Sequence, residues 1–127
     1  MDNKSTYHRL ALLAVVVNNV SSLMHKHTFQ PEQWPFEDPI GSSVVTTWPL
    51  LNDHLPILLV IHELSGGWQF LCCTTNKPED CAILCFGCIY EKYPEISQFS
   101  DLPKGYHAWR EDLKSPWVRE RDTEDAS

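Results

Sequence analysis

Pro56-Ile-Leu-Leu-Val-Ile-His-Glu-Leu-Ser-Gly-Gly-Trp-Gln-Phe-Leu71 reads as a β-hairpin. An unbroken apolar run from Ile57 to Ile61 suits a strand buried on both faces. Ser65-Gly66-Gly67 supplies the turn, because glycine reaches the backbone angles that tight hairpin turns require. The second strand runs from Gly67 to Thr74, with Trp68, Phe70 and Cys72 on one face and Gln69, Leu71 and Cys73 on the other. This hairpin fixes the centre of the fold, and no catalytic or cofactor motif accompanies it.

Working outward, Val44 to Thr47 reads as a short strand. Trp48 to Asp53 follows as a short helix, capped by Thr47 and opened by Pro49 in its first turn. Residues 26–43 are irregular, punctuated by Pro31, Pro35 and Pro39, with Trp34 and Phe36 as core anchors. After the hairpin, Asn76 to Asp80 is a turn and Ala82 to Phe86 a third strand. Gly87 to Lys92 turns helical, and Pro94 opens a second short helix to Phe99. Asp101 to Gly105 is a loop. Tyr106 to Arg110 forms a late strand, and Pro116 to Arg119 a final edge element. At the other end, residues 5–25 carry apolar residues at helical spacing, including Leu10, Leu13, Val17, Val20 and Met24. The expectation is one α+β domain over 1–127, with a small, mainly antiparallel sheet of three to five strands and helices on one face. Residues 1–28 are its helical extension, 29–121 its core, and 122–127 a frayed tail.

With 127 residues, 43% of them hydrophobic, the chain supports one core. Its net charge of −7 argues against nucleic acid, which needs a basic footprint, and against docking on an anionic membrane. Leu10 to Val17 has the look of a signal-peptide core, but its flanks include Asp2 and lack a small-residue cleavage site, so the buried-helix reading is preferred. The run is too short to span a bilayer. The five cysteines lie mostly inside apolar runs, where a thiol behaves as a small hydrophobe, which suits a reducing, cytoplasmic setting.

From about Trp34 to Arg119 the chain resembles a group of small uncharacterised bacterial proteins. The residues that carry the likeness are Phe36-Glu-Asp-Pro39, Pro56-Ile-Leu-Leu-Val-Ile-His62, Gly67-Trp-Gln-Phe-Leu71, Asp101-Leu-Pro-Lys-Gly105, Ala108-Trp-Arg110 and Pro116-Trp-Val-Arg119. The resemblance spans about two thirds of the chain and implies no reaction. Proteins of this size and character are similar to immunity proteins that neutralise bacterial toxins, including those of contact-dependent inhibition systems. It implies a non-enzymatic protein whose partner is a basic toxin domain.

Cys81, Cys85 and Cys88, with Cys72 or Cys73, offer four thiolates for zinc, but Cys-x3-Cys-x2-Cys is not a clean pair of zinc knuckles. In a strand from Ala82 to Phe86, Cys81 and Cys85 share a face that Cys88 joins only through a bend. The thiols are therefore read as core, with no metal and no cofactor assigned. His25-Lys26-His27 reads as a solvated loop that binds metal at most adventitiously. His62, near Cys72 or Cys73 across the hairpin, suggests a thiol–imidazole pair, but Glu63 faces away and cannot orient it. His54, His62 and His107 with Glu111 or Asp112 match no hydrolytic motif. No catalytic residue is assigned. Between Pro31 and Glu63 there are five acids and no lysine or arginine. Glu32, Glu37, Asp38, Asp53 and Glu63 are the candidate contacts to a basic partner, with Trp117 as an exposed aromatic anchor. The alternatives are a small enzyme using His or Cys, and a homodimer joined through the N-terminal apolar helix.

Overall fold

The computed structural model describes residues 27–75 and 77–122. The expected helix over 5–25, with its Leu10–Val17 run, and the tail beyond Asp122 lie outside the described residues. Within them, six strands form one sheet: β1 (Ser43–Thr47), β2 (Leu59–His62), β3 (Trp68–Leu71), β4 (Cys81–Cys85), β5 (Tyr106–Trp109) and β6 (Val118–Arg121). Their order is β4-β1-β3-β2-β5-β6. Every neighbouring pair is antiparallel except β1 and β3, which meet in parallel at Val45 and Gln69.

The hairpin forms as its sequence dictates. The Glu63 N–H donates to the Gly67 carbonyl at 2.8 Å, and Gly66 N–H returns to the Glu63 carbonyl at 2.8 Å. Gly66 sits at φ 108, a backbone angle that a side chain disfavours. Helix α1 (Trp48–Asp53) starts where Thr47 Oγ1 accepts from the Leu50 N–H and ends at His54 in a left-handed conformation, φ 50. Helix α2 (Phe86–Lys92) follows β4 without a loop, and a 3-10 helix over Pro94–Phe99 follows it.

Strand alternation sorts the side chains into two layers. Val44, Val60, Trp68, Phe70 and Ala108 face the helices and pack with Leu50, Phe86, Ile89, Ile96 and Phe99. Leu59, Ile61 and Leu71 form a smaller cluster on the other face, with Trp109 and Cys73 against it. The α+β class with helices on one face holds. The sheet is wider than three to five strands because β4 pairs along its whole length with β1, and the Pro116–Arg119 element extends into β6.

Candidate functional site

The strand-to-helix junction at Cys85 and the arm that begins at His27 build a cluster of chemically active side chains. β4 ends at Cys85 and α2 begins at Phe86, so the chain switches from strand to helix at that point. This switch is the bend that strand alternation alone denied to Cys88. Phe86 drops into the core, fully buried. Cys85 and Cys88, three residues apart across the first helical turn, come onto one side. Cys85 caps the helix, its sulfur accepting from the Cys88 N–H at 3.1 Å, and the two Sγ atoms lie 2.8 Å apart. Cys81 stays at the far end of β4, opposite Thr47. The three-thiol set Cys81, Cys85 and Cys88 is therefore not assembled.

The third member comes from the arm that precedes β1. Phe86 N–H donates to the Ser42 carbonyl at 2.7 Å and Gly87 N–H to the Ile40 carbonyl at 2.9 Å, which lays the arm across the start of α2. Aromatic rings hold it there. Phe29 stacks on His27 and meets Tyr90 edge-on, and Trp34 meets Phe86 and Tyr90 edge-on. His27 Nε2 consequently sits 3.6 Å from Cys85 Sγ, and the donor atoms of His27, Cys85 and Cys88 all lie within 4.8 Å of one another. The His27 side chain is only 8% exposed, so this is no solvated loop. Gly87 is what makes room: a Cβ there would lie 2.6 Å from His27 Nε2 and 2.6 Å from Ile40 Cγ2.

Glu91, one turn further along α2, fixes the ring. Its carboxylate accepts from His27 Nδ1 at 3.0 Å, from Thr28 Oγ1 at 2.9 Å, and from the Thr28 N–H. An ionised carboxylate only accepts, so the proton of a neutral His27 resides on Nδ1 and the Nε2 lone pair faces the thiols. The Thr28 N–H, and then His27, hold the Glu91 carboxyl below the usual carboxylate range. Burial, then the Cys85 sulfur, push the Cys88 thiol up to about 12. Cys81 is also raised, by burial and then Asp80.

The acids picked out as partner contacts divide. Glu32 and Glu37 on the arm and Asp53 at the end of α1 are exposed. Asp38 is half-buried; its Oδ1 accepts from the Trp68 indole at 3.2 Å and its carbonyl from the Trp34 indole at 2.7 Å. Glu63 is buried, its carboxylate taking the Gln69 amide and the Ser65 hydroxyl, which removes it from any partner surface. Trp117 is likewise not the exposed anchor expected: it is half-buried edge-on against Phe99, with the Arg110 guanidinium 4.4 Å above its ring.

The remaining described histidines take structural partners. His62 pairs with Trp68 across the hairpin, while Leu59 pairs with Leu71 at the opposite end, so Cys72 and Cys73 lie beyond the far end of the ladder. His62 stacks on Trp68 and hydrogen-bonds the Leu102 carbonyl at 2.7 Å. His107 lies between Asp122 at 2.6 Å and Glu120 at 3.1 Å, which joins β5 to β6, rather than beside Glu111 or Asp112. His54 stacks on Tyr93. A shallow depression of about 390 Å³ at Pro56, Leu58 and Leu113 holds one carboxylate, Asp112, lowered chiefly by the Ser115 hydroxyl.

No helix among the described residues is long and apolar enough to cross a membrane. Comparisons with protein-family models, curated proteins and solved structures return no match to this chain.

Proposed function

We propose that this chain is a non-enzymatic, acidic protein-binding protein of the toxin-immunity kind, acting in the cytoplasm by occluding the basic active-site surface of a toxin domain. One observation carries the reading. The stretch from Pro31 to Glu63 contains no lysine or arginine, and three of its acids, Glu32, Glu37 and Asp53, are exposed on the arm and at the end of α1. A net charge of −7 adds a long-range field that steers a basic partner into encounter. The resemblance to small uncharacterised bacterial proteins, similar in size and character to immunity proteins, is consistent with the same reading. Asp38 and Glu63, tied into the fold, contribute structure rather than contact, and Trp117 supports the β5–β6 side of the core.

The test begins with capture of a partner from source-cell lysate at low and high salt. The captured protein should be basic, toxic when expressed alone, and harmless when this chain is co-expressed. Reversing the three exposed acids (Glu32→Lys, Glu37→Lys, Asp53→Lys) should slow association at low salt by about tenfold or more, and should matter less at high salt. An unchanged association rate would remove the electrostatic mechanism. A captured partner with no toxicity would remove the immunity role.

A further inference from the structure

We propose that His27, Cys85 and Cys88 form a binding site for a thiophilic d10 cation, Zn2+ in the first instance. The site is independent of the protein-binding role proposed above. Two thiolates and one imidazole nitrogen are a donor set matched to borderline and soft cations and poorly matched to Mg2+ or Ca2+. The donors converge from two separate parts of the chain, at the strand-to-helix switch and at the arm.

The geometry agrees with the chemistry. Zinc–sulfur bonds of about 2.3 Å and zinc–nitrogen bonds of about 2.0–2.1 Å place sulfur and nitrogen about 3.6 Å apart around a tetrahedral ion, and two sulfurs about 3.8 Å apart. Cys85 Sγ and His27 Nε2 already stand 3.6 Å apart. The Cys85 and Cys88 sulfurs, at 2.8 Å, need to separate by about 1 Å, which a small side-chain rotation of the half-buried Cys88 supplies. Binding displaces the two thiol protons to solvent and leaves both sulfurs as thiolates. Among the described residues the three donors leave the fourth position of the tetrahedron open.

Three further features fit a ligand site better than ordinary packing. Glu91 backs the imidazole through Nδ1, the arrangement in which a carboxylate orients a metal-bound histidine and raises its basicity. Thr28 ties the same carboxylate to the arm, so the backing group and the ligand are held as one unit. Gly87, between the two cysteines, is the residue whose missing side chain lets the ring reach the sulfurs. The same missing side chain lets Ile40 and the arm lie against the start of α2, which brings His27 with it.

The experiment is an anaerobic titration of the reduced full-length chain with Co2+, followed by displacement with Zn2+. One Co2+ per chain is expected, with thiolate-to-cobalt charge transfer in the near ultraviolet and the visible bands of a tetrahedral ion. Cys88→Ser should weaken the charge transfer and lower affinity at least tenfold. Glu91→Gln should lower affinity about 10- to 100-fold while the charge-transfer band persists, because it changes the support and not the sulfur ligands. Gly87→Ala should abolish tight binding. Cys81→Ser should change nothing. Cys85 is fully buried and caps α2, so the more accessible Cys88 and Glu91 variants carry the test where Cys85→Ser does not fold. No tetrahedral spectrum, binding that survives Cys88→Ser, or binding lost in Cys81→Ser would each overturn the proposal.

Discussion

At the scale of single residues, Tyr93 shows how one polar atom can close a junction. Its ring is buried at the end of α2, and its hydroxyl donates to the Leu55 carbonyl at 2.6 Å, with the Leu50 carbonyl 3.3 Å away. Leu50 lies within α1 and Leu55 just beyond its end, so one hydroxyl links the two helices. Burial, then the charge of Glu95, pushes the phenol up to about 12. The folded state therefore holds the proton more tightly than the unfolded chain. That contribution to stability is complete below about pH 10 and is lost between about pH 10 and 12. Spectrophotometric titration should show one tyrosine ionising last, with unfolding following it. Tyr93→Phe should cost about 1 kcal/mol in urea unfolding and remove this alkaline component. The residues of the Cys85 site were visible in the sequence but not their convergence. Phe86 fits a strand as well as a helix, and assigning it to the strand separates Cys85 from Cys88. His27 lies 58 positions from Cys85, and no local pattern records such a meeting.

Among the elements, the β2–β3 hairpin was the most legible, because an apolar run, a Gly-Gly turn and two-residue alternation are all local signals. Helix α1 was legible for the same reason, with Thr47 and Pro49 marking its start. The interior of the hairpin was less so. Glu63 and Gln69 are six positions apart and bury together beside the turn, where acids were expected to face solvent. The carboxylate is accommodated because the Gln69 amide and Ser65 hydroxyl both donate to it. Gln69→Leu removes the buried donor and should destabilise the protein by roughly 3 kcal/mol. Replacing both residues with leucine should cost less than the sum of the two single changes, since no carboxylate is then left buried without its donor. Equilibrium urea unfolding of the three variants measures this coupling. Additive costs would mean that the two side chains do not act as a pair.

At the scale of the whole molecule, the described residues form one sheet with a guarded edge at β6. β6 is exposed throughout and presents Arg119, Glu120 and Arg121, charges that disfavour pairing with a second copy along that edge. Arg119 also reaches back to Asp101 at 2.9 Å and to the Gln98 carbonyl at 2.8 Å, fastening the edge to the helical layer. The α+β class followed from local patterns, but the strand order did not. β1 lies between β3 and β4, and that placement depends on distant pairings such as Ser43 with Cys85. The strand order also governs how quickly the molecule can assemble. Only β2–β3 and β5–β6 join strands that are neighbours both in sequence and in the sheet. The remaining joins must each close a long loop before any contact repays the lost chain entropy. The central hairpin is then the natural nucleus, and the outermost strand docks late. Gly66→Ala, which strains the turn at φ 108, should mainly slow refolding in stopped-flow measurements, whereas Arg119→Ala should mainly speed unfolding. Equal effects of both changes on the refolding arm would place the edge strand in the nucleus as well.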